Sequence, residues 1–351
     1  MREDIRNFNQ DELLKKFKGL HIEPYRARQV LEWLYRRDVD DFSMMSNLPK
    51  DLREKLGLYF CIEKLAVEEI KTSRDMTQKF LFRLKDDALI ESVSIPLKAR
   101  LTACLSTQVG CKFSCTFCAS GSMGFKRNLE ACEIVAQFLA IKKNVPLHKV
   151  SNVVFMGIGE PLDNYDNCLR AIRILNDPGC ANLGIRKMTI STSGFAPAIE
   201  RLAKEGLQIE LSVSLHAATD EKRSELLPIN NRFPLKPLFK AVETYMALTK
   251  RKVTFEYILL GGFNTSVEDA QSLIRLVRGL NVRVNLIPYN PGPARVRYFS
   301  PTKLEVLFFK NYLAQKGIDV FLRMPRGADI AAACGQLKYH VLKREKQNKE
   351  S

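Results

Sequence analysis

Beyond residue 100 the chain repeats one pattern, a short apolar run, a turn and a stretch of helical periodicity, and this repetition restricts the possible folds most. The apolar runs fall at 102–109, 150–157, 187–194, 208–215, 253–260, 282–289 and 319–324. Helical stretches lie between them at 130–143, 165–176, 196–205, 235–249, 266–279 and 301–316. Strands alternating with helices predict βα units and a parallel sheet buried on both faces. Six or seven such units predict an α/β fold, a partial or full TIM-like (β/α) barrel, whose chemistry belongs at the C-terminal ends of the strands. The conspicuous short motifs fall there: CKFSCTFC after the first strand, then GIGEPL, STSG, SLH and NLIPYNP.

Upstream, apolar residues from Asp11 to Leu56 recur at helical spacing, as in ARQVLEWLYRR, where Val30, Leu31 and Leu34 share one side. A small helical domain over 1–64 follows from this. KFLFRL and LIESVSIPL then predict a short β linker region at 65–100, with the barrel at 101–335 and a basic tail at 336–351.

The net charge of +16 is unevenly placed. Residues 1–57 carry 12 basic and 11 acidic side chains, whereas 97–129 hold Lys98, Arg100, Lys112, Lys126 and Arg127 and no acid. Residues 295–351 add 12 basic against 5 acidic. Positive charge concentrated around the cysteine loop and the C-terminal segment suits a polyanionic substrate, although a solvated basic surface would read the same way. No apolar run approaches the ~20 residues a membrane span needs. The first residues are charged where a signal peptide would be apolar. Nine cysteines without an export signal indicate a reducing, cytoplasmic setting in which thiols stay free for metals or catalysis.

Cys111, Cys115 and Cys118 supply too few ligands for a closed metal site. A [4Fe–4S] cubane normally takes four thiolates, so three leave one iron open to a substrate. Zinc is the competing reading, but Cys104 and Cys132 make no second knuckle and His148 is far along the chain. The two glycines of GIGEP allow a ligand close to the backbone, and Glu160 beside them could receive an ammonium group; a tight βα turn would look alike.

The CxxxCxxC spacing with Phe117 before its last cysteine resembles the radical S-adenosylmethionine (SAM) enzymes. Taken in order, YRARQ, QVGCKFSCTFCASG, FKRNL, GIGEPL, STSG, SLHA, LPIN, NLIPYNP and ACGQL resemble the RlmN family of dual-specificity RNA methyltransferases, from about residue 10 to residue 340. The resemblance implies a radical SAM (β/α) barrel with a [4Fe–4S] cluster on Cys111, Cys115 and Cys118. It implies two SAM molecules per turnover and methylation of adenosine carbon 2 in 23S rRNA, at the peptidyl transferase centre, and in tRNA, 3′ of the anticodon. Cys334 would carry the methyl group as S-methylcysteine, Cys104 would resolve the adduct as its disulfide partner, and Glu91 would accept the carbon-2 proton. SAM would be held by Gly159, Glu160, Ser191, Ser214, Leu215, His216 and Asn290. A low-potential electron donor such as flavodoxin, a monomeric state and no membrane association belong to the same expectation.

Two departures stand out: Ala331 replaces the family's usual Asp ahead of ACGQL, and GGFNTS at 261–266 replaces a GVND-like turn. Cfr-like methylation of carbon 8 is one alternative. A non-catalytic Fe–S or zinc RNA-binding protein, which would make no use of Cys334 or Cys104, is another. Taken alone, Cys104 and Cys334 read as small core residues and Glu91 as a solvated strand residue. Cys61, Cys132, Cys168 and Cys180 match no motif.

Overall fold

In the computed structural model, which describes residues 2–98, 100–145, 149–291 and 298–337, the chain begins with a helical unit. Strand β1 (Glu3–Asp4), helices α1 (Gln10–Gly19), α2 (Tyr25–Tyr35) and α3 (Lys50–Tyr59), and strand β2 (Phe60–Cys61) form it, with β1 and β2 paired in parallel. Asn9 and Glu12 make a reciprocal capping box that fixes the start of α1. Val30, Leu31 and Leu34 are buried together, as their spacing requires. The unit docks on the rest of the chain partly through Asn7, whose side-chain oxygen accepts the Cys132 amide.

Strands β3 (Ala66–Thr72), β4 (Gln78–Arg83) and β5 (Leu89–Leu97) run antiparallel, and β5 pairs antiparallel with β6 (Arg100–Cys104). The 65–100 region therefore does not form a sheet of its own. It extends the barrel sheet along one edge, because β5 pairs antiparallel with β6 from Leu97–Arg100 to Val93–Cys104.

From β6 the sheet is parallel. It continues through β9 (Val150–Phe155), β10 (Met188–Thr192), β11 (Glu210–Ser214), β12 (Val253–Leu259), β13 (Val282–Pro288) and β14 (Val320–Leu322). A separate hairpin, β7 (Gln108–Gly110) with β8 (Phe125–Asn128), lies between β6 and β9. Helices α4 (Ala131–Asn144), α5 (Tyr165–Asn176), α6 (Ala196–Ala203), α7 (Asp220–Leu226), α8 (Leu235–Thr249), α9 (Val267–Val277) and α10 (Lys303–Gln315) cover the outside. The sheet order runs β14-β13-β12-β11-β10-β9-β6-β5-β4-β3, so the barrel is partial, with β14 at one edge and β3 at the other.

The apolar run at 102–109 is divided rather than continuous. The Ser106 hydroxyl donates to the Glu91 carbonyl at 2.5 Å and accepts the Ile158 amide at 2.8 Å, while Gln137 of α4 bonds both the amide and the carbonyl of Ser106. These side-chain bonds replace ladder bonds and turn the backbone out of the sheet. Among the described residues, no helix is long and apolar enough to cross a membrane. The basic tail lies outside the described residues from 338 onward, as does His148.

Candidate active site

The three motif cysteines sit on the loop joining β7 to β8, at the C-terminal end of the parallel strands. The Cys111 amide donates to the Gly124 carbonyl at 2.9 Å and closes the base of the loop. The Thr116 amide donates to Leu226 O at 3.0 Å, and its hydroxyl lies 2.9 Å from that of Tyr298. All three cysteines line one cavity. Burial raises each thiol, Cys111 to about 12, so none ionises readily unless a metal offsets the charge.

Cys111, Cys115 and Cys118 leave one short loop into a cavity that Gly159 and Glu160 also line, a donor set that fits a three-thiolate cluster with one iron left open.

The strand ends opposite supply the rest of the lining. Gly159 has φ +106°, and a Cβ there would meet the Gln108 Cβ at 2.6 Å, so only glycine fits. Glu160 is buried, and its Oε2 accepts both the amide and the hydroxyl of Ser193 at 2.8 Å. Burial raises its pKa while these donors oppose the shift. Ser191, Ser214 and His216 line the same cavity. Nδ1 of His216 accepts the Ile258 amide at 3.0 Å, which puts the ring proton on Nε2. Burial, aided by Arg223, lowers the pKa of His216 to about 3, so the ring stays neutral. Leu215 does not line the cavity: its side chain is fully buried in the core, and its carbonyl accepts Arg223 Nε. Asn290 does not line the cavity either, but its carbonyl accepts Gln336 Nε2 at 3.2 Å.

Cys334 opens onto the same cavity as the three cluster cysteines. Its segment is joined to their loop, because the Ala119 amide donates to Gly335 O at 2.7 Å and Ser120 Oγ to Leu337 O at 2.8 Å. Cys104 is buried at the end of β6 and packs with Ala332 and Leu337. Burial pushes its thiol up to about 12, with Cys334 adding to the shift and Arg323 opposing it. Glu91, expected on a solvated strand face if it had no role, is buried and paired with Lys79 at 3.1 Å.

Arg223, absent from every motif, is fully buried and donates to the carbonyls of Ser193, Ser214 and Leu215 at 2.7, 3.1 and 3.2 Å and to Asn230 Oδ1 at 2.6 Å. One guanidinium thus ties together the ends of β10 and β11. Gly194 of STSG, at φ +109°, leaves room for it: a Cβ would lie 2.8 Å from Nη2. Arg323 also lines the cavity, with Glu256 at 3.9 Å. LPIN pointed near Arg223, through Asn230; nothing in the sequence marked Arg323. In the GGFNTS departure, Asn264 donates to the carbonyls of His216 and Ile258 and so holds the His216 turn.

The expected basic patch is partly consumed internally. Arg127 is closed on Asp86 and Glu133 at 2.7–2.9 Å, and Lys112 reaches Asp163 at 2.7 Å. Asp86 and Asp163 come from segments distant in sequence and Glu133 lies just past the stretch, so a charge count over 97–129 overstates the cation available to a polyanion.

An open (β/α) barrel bearing three thiols on its first βα loop and a Gly-Glu turn opposite defines a radical SAM enzyme, and residues 105–277 match the family model of the radical SAM superfamily. Residues 3–62 match that of the ribosomal RNA large subunit methyltransferase N-terminal domain. The chain belongs to the RlmN family. It is 44% identical over 336 residues to a probable dual-specificity RNA methyltransferase RlmN of Thermotoga neapolitana, covering 95% of this chain and 97% of the relative. It is 46% identical over 337 residues to the Geobacillus kaustophilus relative of the same name, covering 95% and 92%. A crystal structure of a radical SAM methyltransferase from Sphaerobacter thermophilus superposes with a TM-score of 0.92 at 42% identity, covering 96% of this chain and 99% of that one.

Proposed function

We propose that the chain methylates carbon 2 of adenosine in 23S rRNA and in tRNA through a methyl group carried on Cys334. The observation that carries this reading is the placement of Cys334 in one cavity with Cys111, Cys115 and Cys118, with Cys104 packed behind its segment. Relatives at 43–46% identity are called dual-specificity RNA methyltransferases, which supports RNA as the substrate. Carbon 2 of adenine has neither a lone pair nor an acidic proton, so it cannot displace a methyl group by itself.

The Cys334 thiolate first takes a methyl group from one SAM, releasing S-adenosylhomocysteine. When bound, the cluster would supply the electron that splits a second SAM into methionine and a 5′-deoxyadenosyl radical, and would take back the odd electron later left on the ring. Loss of a hydrogen atom from the Cys334 methyl group gives a carbon radical that adds to carbon 2, joining protein and RNA through sulfur. Glu91 takes the carbon-2 proton as the ring regains aromaticity. The Cys104 thiolate then attacks the Cys334 sulfur; the carbon–sulfur bond breaks, its electron pair takes a proton to complete the methyl group, and a Cys104–Cys334 disulfide remains for an external thiol to reduce.

Glu160 would receive the ammonium of SAM, with Gly159, Ser191, Ser214, His216 and the backbone at Leu215 and Asn290 around it. The target adenosine must leave its stack to reach this cavity. Anaerobic reconstitution followed by nucleoside mass spectrometry of treated rRNA and tRNA tests the reading. 2-Methyladenosine in both supports it; 8-methyladenosine, or no methylated adenosine, contradicts it.

A further inference from the structure

We propose that Lys79 is a positioning residue that holds Glu91 ionised and fixes it relative to the segment carrying Cys334; this rests on the reading of Glu91 as proton acceptor. Strand register places the two together. Glu91 pairs with Leu81, and Val93 pairs with both Lys79 and Cys104, so Lys79, Glu91, Val93 and Cys104 share one face of the sheet. Both charged side chains are buried, at 8% and 4% exposure, with Nζ and Oε1 3.1 Å apart. The same ammonium donates to the Ala331 carbonyl at 3.2 Å, three residues ahead of Cys334.

The segment it reaches is seated on the β3–β4 turn. Asp329 accepts the Ser73 hydroxyl at 2.5 Å and the Arg74 amide at 3.2 Å, while Asp75 accepts the Gly327 amide at 3.1 Å. These bonds hold the backbone without Lys79, so seating the segment does not by itself require a cation there. A buried ion pair gains little stability over apolar packing of equal volume. What an ammonium supplies that an apolar residue cannot is the charge state of Glu91, because a carboxyl buried without a cation keeps its proton and cannot act as a base.

The other cation toward this face is Arg323, which acts on Cys104 and Cys334 and lies 3.9 Å from Glu256, and the remaining charges are committed elsewhere. On β3, Glu69 and Lys71 pair with each other at 3.5 Å; on β4, Arg83 is taken by Glu68 and Asp87. Cys104 on β6 and Cys334 on the covering segment are thiols, and Asp329 is held as described. On the opposite face, α4 contributes Gln137, and Arg127 of β8 closes on Asp86 and Glu133.

The test is the pH dependence of methylation by the anaerobic holoprotein on an unmodified 23S rRNA transcript. Lys79→Gln keeps a donor for the Ala331 carbonyl but removes the charge. Its acid limb should move upward by roughly one to three pH units, with a rate at least about tenfold lower near neutrality that recovers in alkaline buffer. Lys79→Arg should return the limb toward its original position. A Lys79→Gln limb that coincides with the unsubstituted protein's, or a rate loss uniform across pH, overturns the proposal.

Infrared pH titration, taken as the difference between the unsubstituted protein and Glu91→Gln, reads the carboxyl directly and does not depend on folding of the Lys79 variants. A Glu91 carboxylate band at neutral pH supports the proposal, and a protonated carboxyl band contradicts it. Should Glu91→Gln methylate RNA normally, the proton-acceptor reading fails, and the same infrared difference taken in the Lys79→Gln background still decides whether Lys79 keeps Glu91 ionised: a protonated carboxyl band there supports the proposal, and an unchanged carboxylate band overturns it.

Discussion

Replacing Arg223 by methionine should remove the tie between the two strand ends that face the cysteine loop. The guanidinium makes four bonds of 2.6–3.2 Å, three to the backbone carbonyls of Ser193, Ser214 and Leu215 and one to Asn230. A hydrogen bond from a charged donor contributes about 1.5–3 kcal/mol net, and a buried acceptor left without one costs about 1–3 kcal/mol. These figures describe the same loss from two sides and are not summed. The cavity also lets water reach some of the freed carbonyls. A net loss of about 3–5 kcal/mol follows, a large fraction of the ~5–15 kcal/mol that holds a domain folded. Arg223→Lys, with one donor group in place of a fork, should recover only part of it. Urea unfolding of the anaerobic protein followed by circular dichroism measures the change, and SAM binding should weaken with it because Ser193 orients Glu160. An apparent unfolding free energy within about 1 kcal/mol of the unsubstituted protein would show that other donors satisfy those carbonyls, and would refute the tie.

Glu160 should make SAM binding pH-dependent. Its pKa is raised in the fold by burial, so stability contributed by the protonated form is present at low pH and lost as pH rises through the folded pKa, while the carboxylate that pairs with an ammonium appears over the same range. SAM affinity, measured by equilibrium dialysis, should rise with pH across that ionisation, and Glu160→Gln should lose about tenfold or more and flatten the dependence. Ala331 sits at φ +52°, a left-handed conformation that alanine adopts at a cost. Ala331→Gly should therefore raise stability by about 0.5–1 kcal/mol, read as a higher Tm; a lower Tm would show that its side chain contributes packing that outweighs the strain.

The barrel was legible because each βα unit carries its own local period, and the cluster loop because three thiols at fixed spacing lie on one short segment. What was not legible depends on segments that meet only in the fold. Lys79 in QKFLFR reads as the polar side of an edge strand, yet the segment around Ala331, some 252 residues later, covers it. Arg223 in DEKRSEL reads as one charge on a solvated helix, yet it passes under Gly194 to three carbonyls. The run at 102–109 has strand composition throughout, and it breaks at Ser106 because Gln137 of α4, 31 residues on, and the backbone of Glu91 and Ile158 bond that residue. Arg127 counted toward a basic patch because Asp86 and Glu133, which consume its charge, lie outside the window that contained it.

The two outlying thiols test the central claim most directly, since they have different tasks if the methyl group passes through Cys334. After anaerobic incubation with SAM, reductant and RNA, Cys104→Ala should accumulate a nuclease-sensitive protein–RNA conjugate, because nothing displaces the bridging sulfur. Peptide mass spectrometry should map its attachment to Cys334, and Cys104→Ala/Cys334→Ala should form none. Normal methylation by Cys104→Ala, or a conjugate attached elsewhere, would contradict the two-thiol mechanism even with the cluster intact.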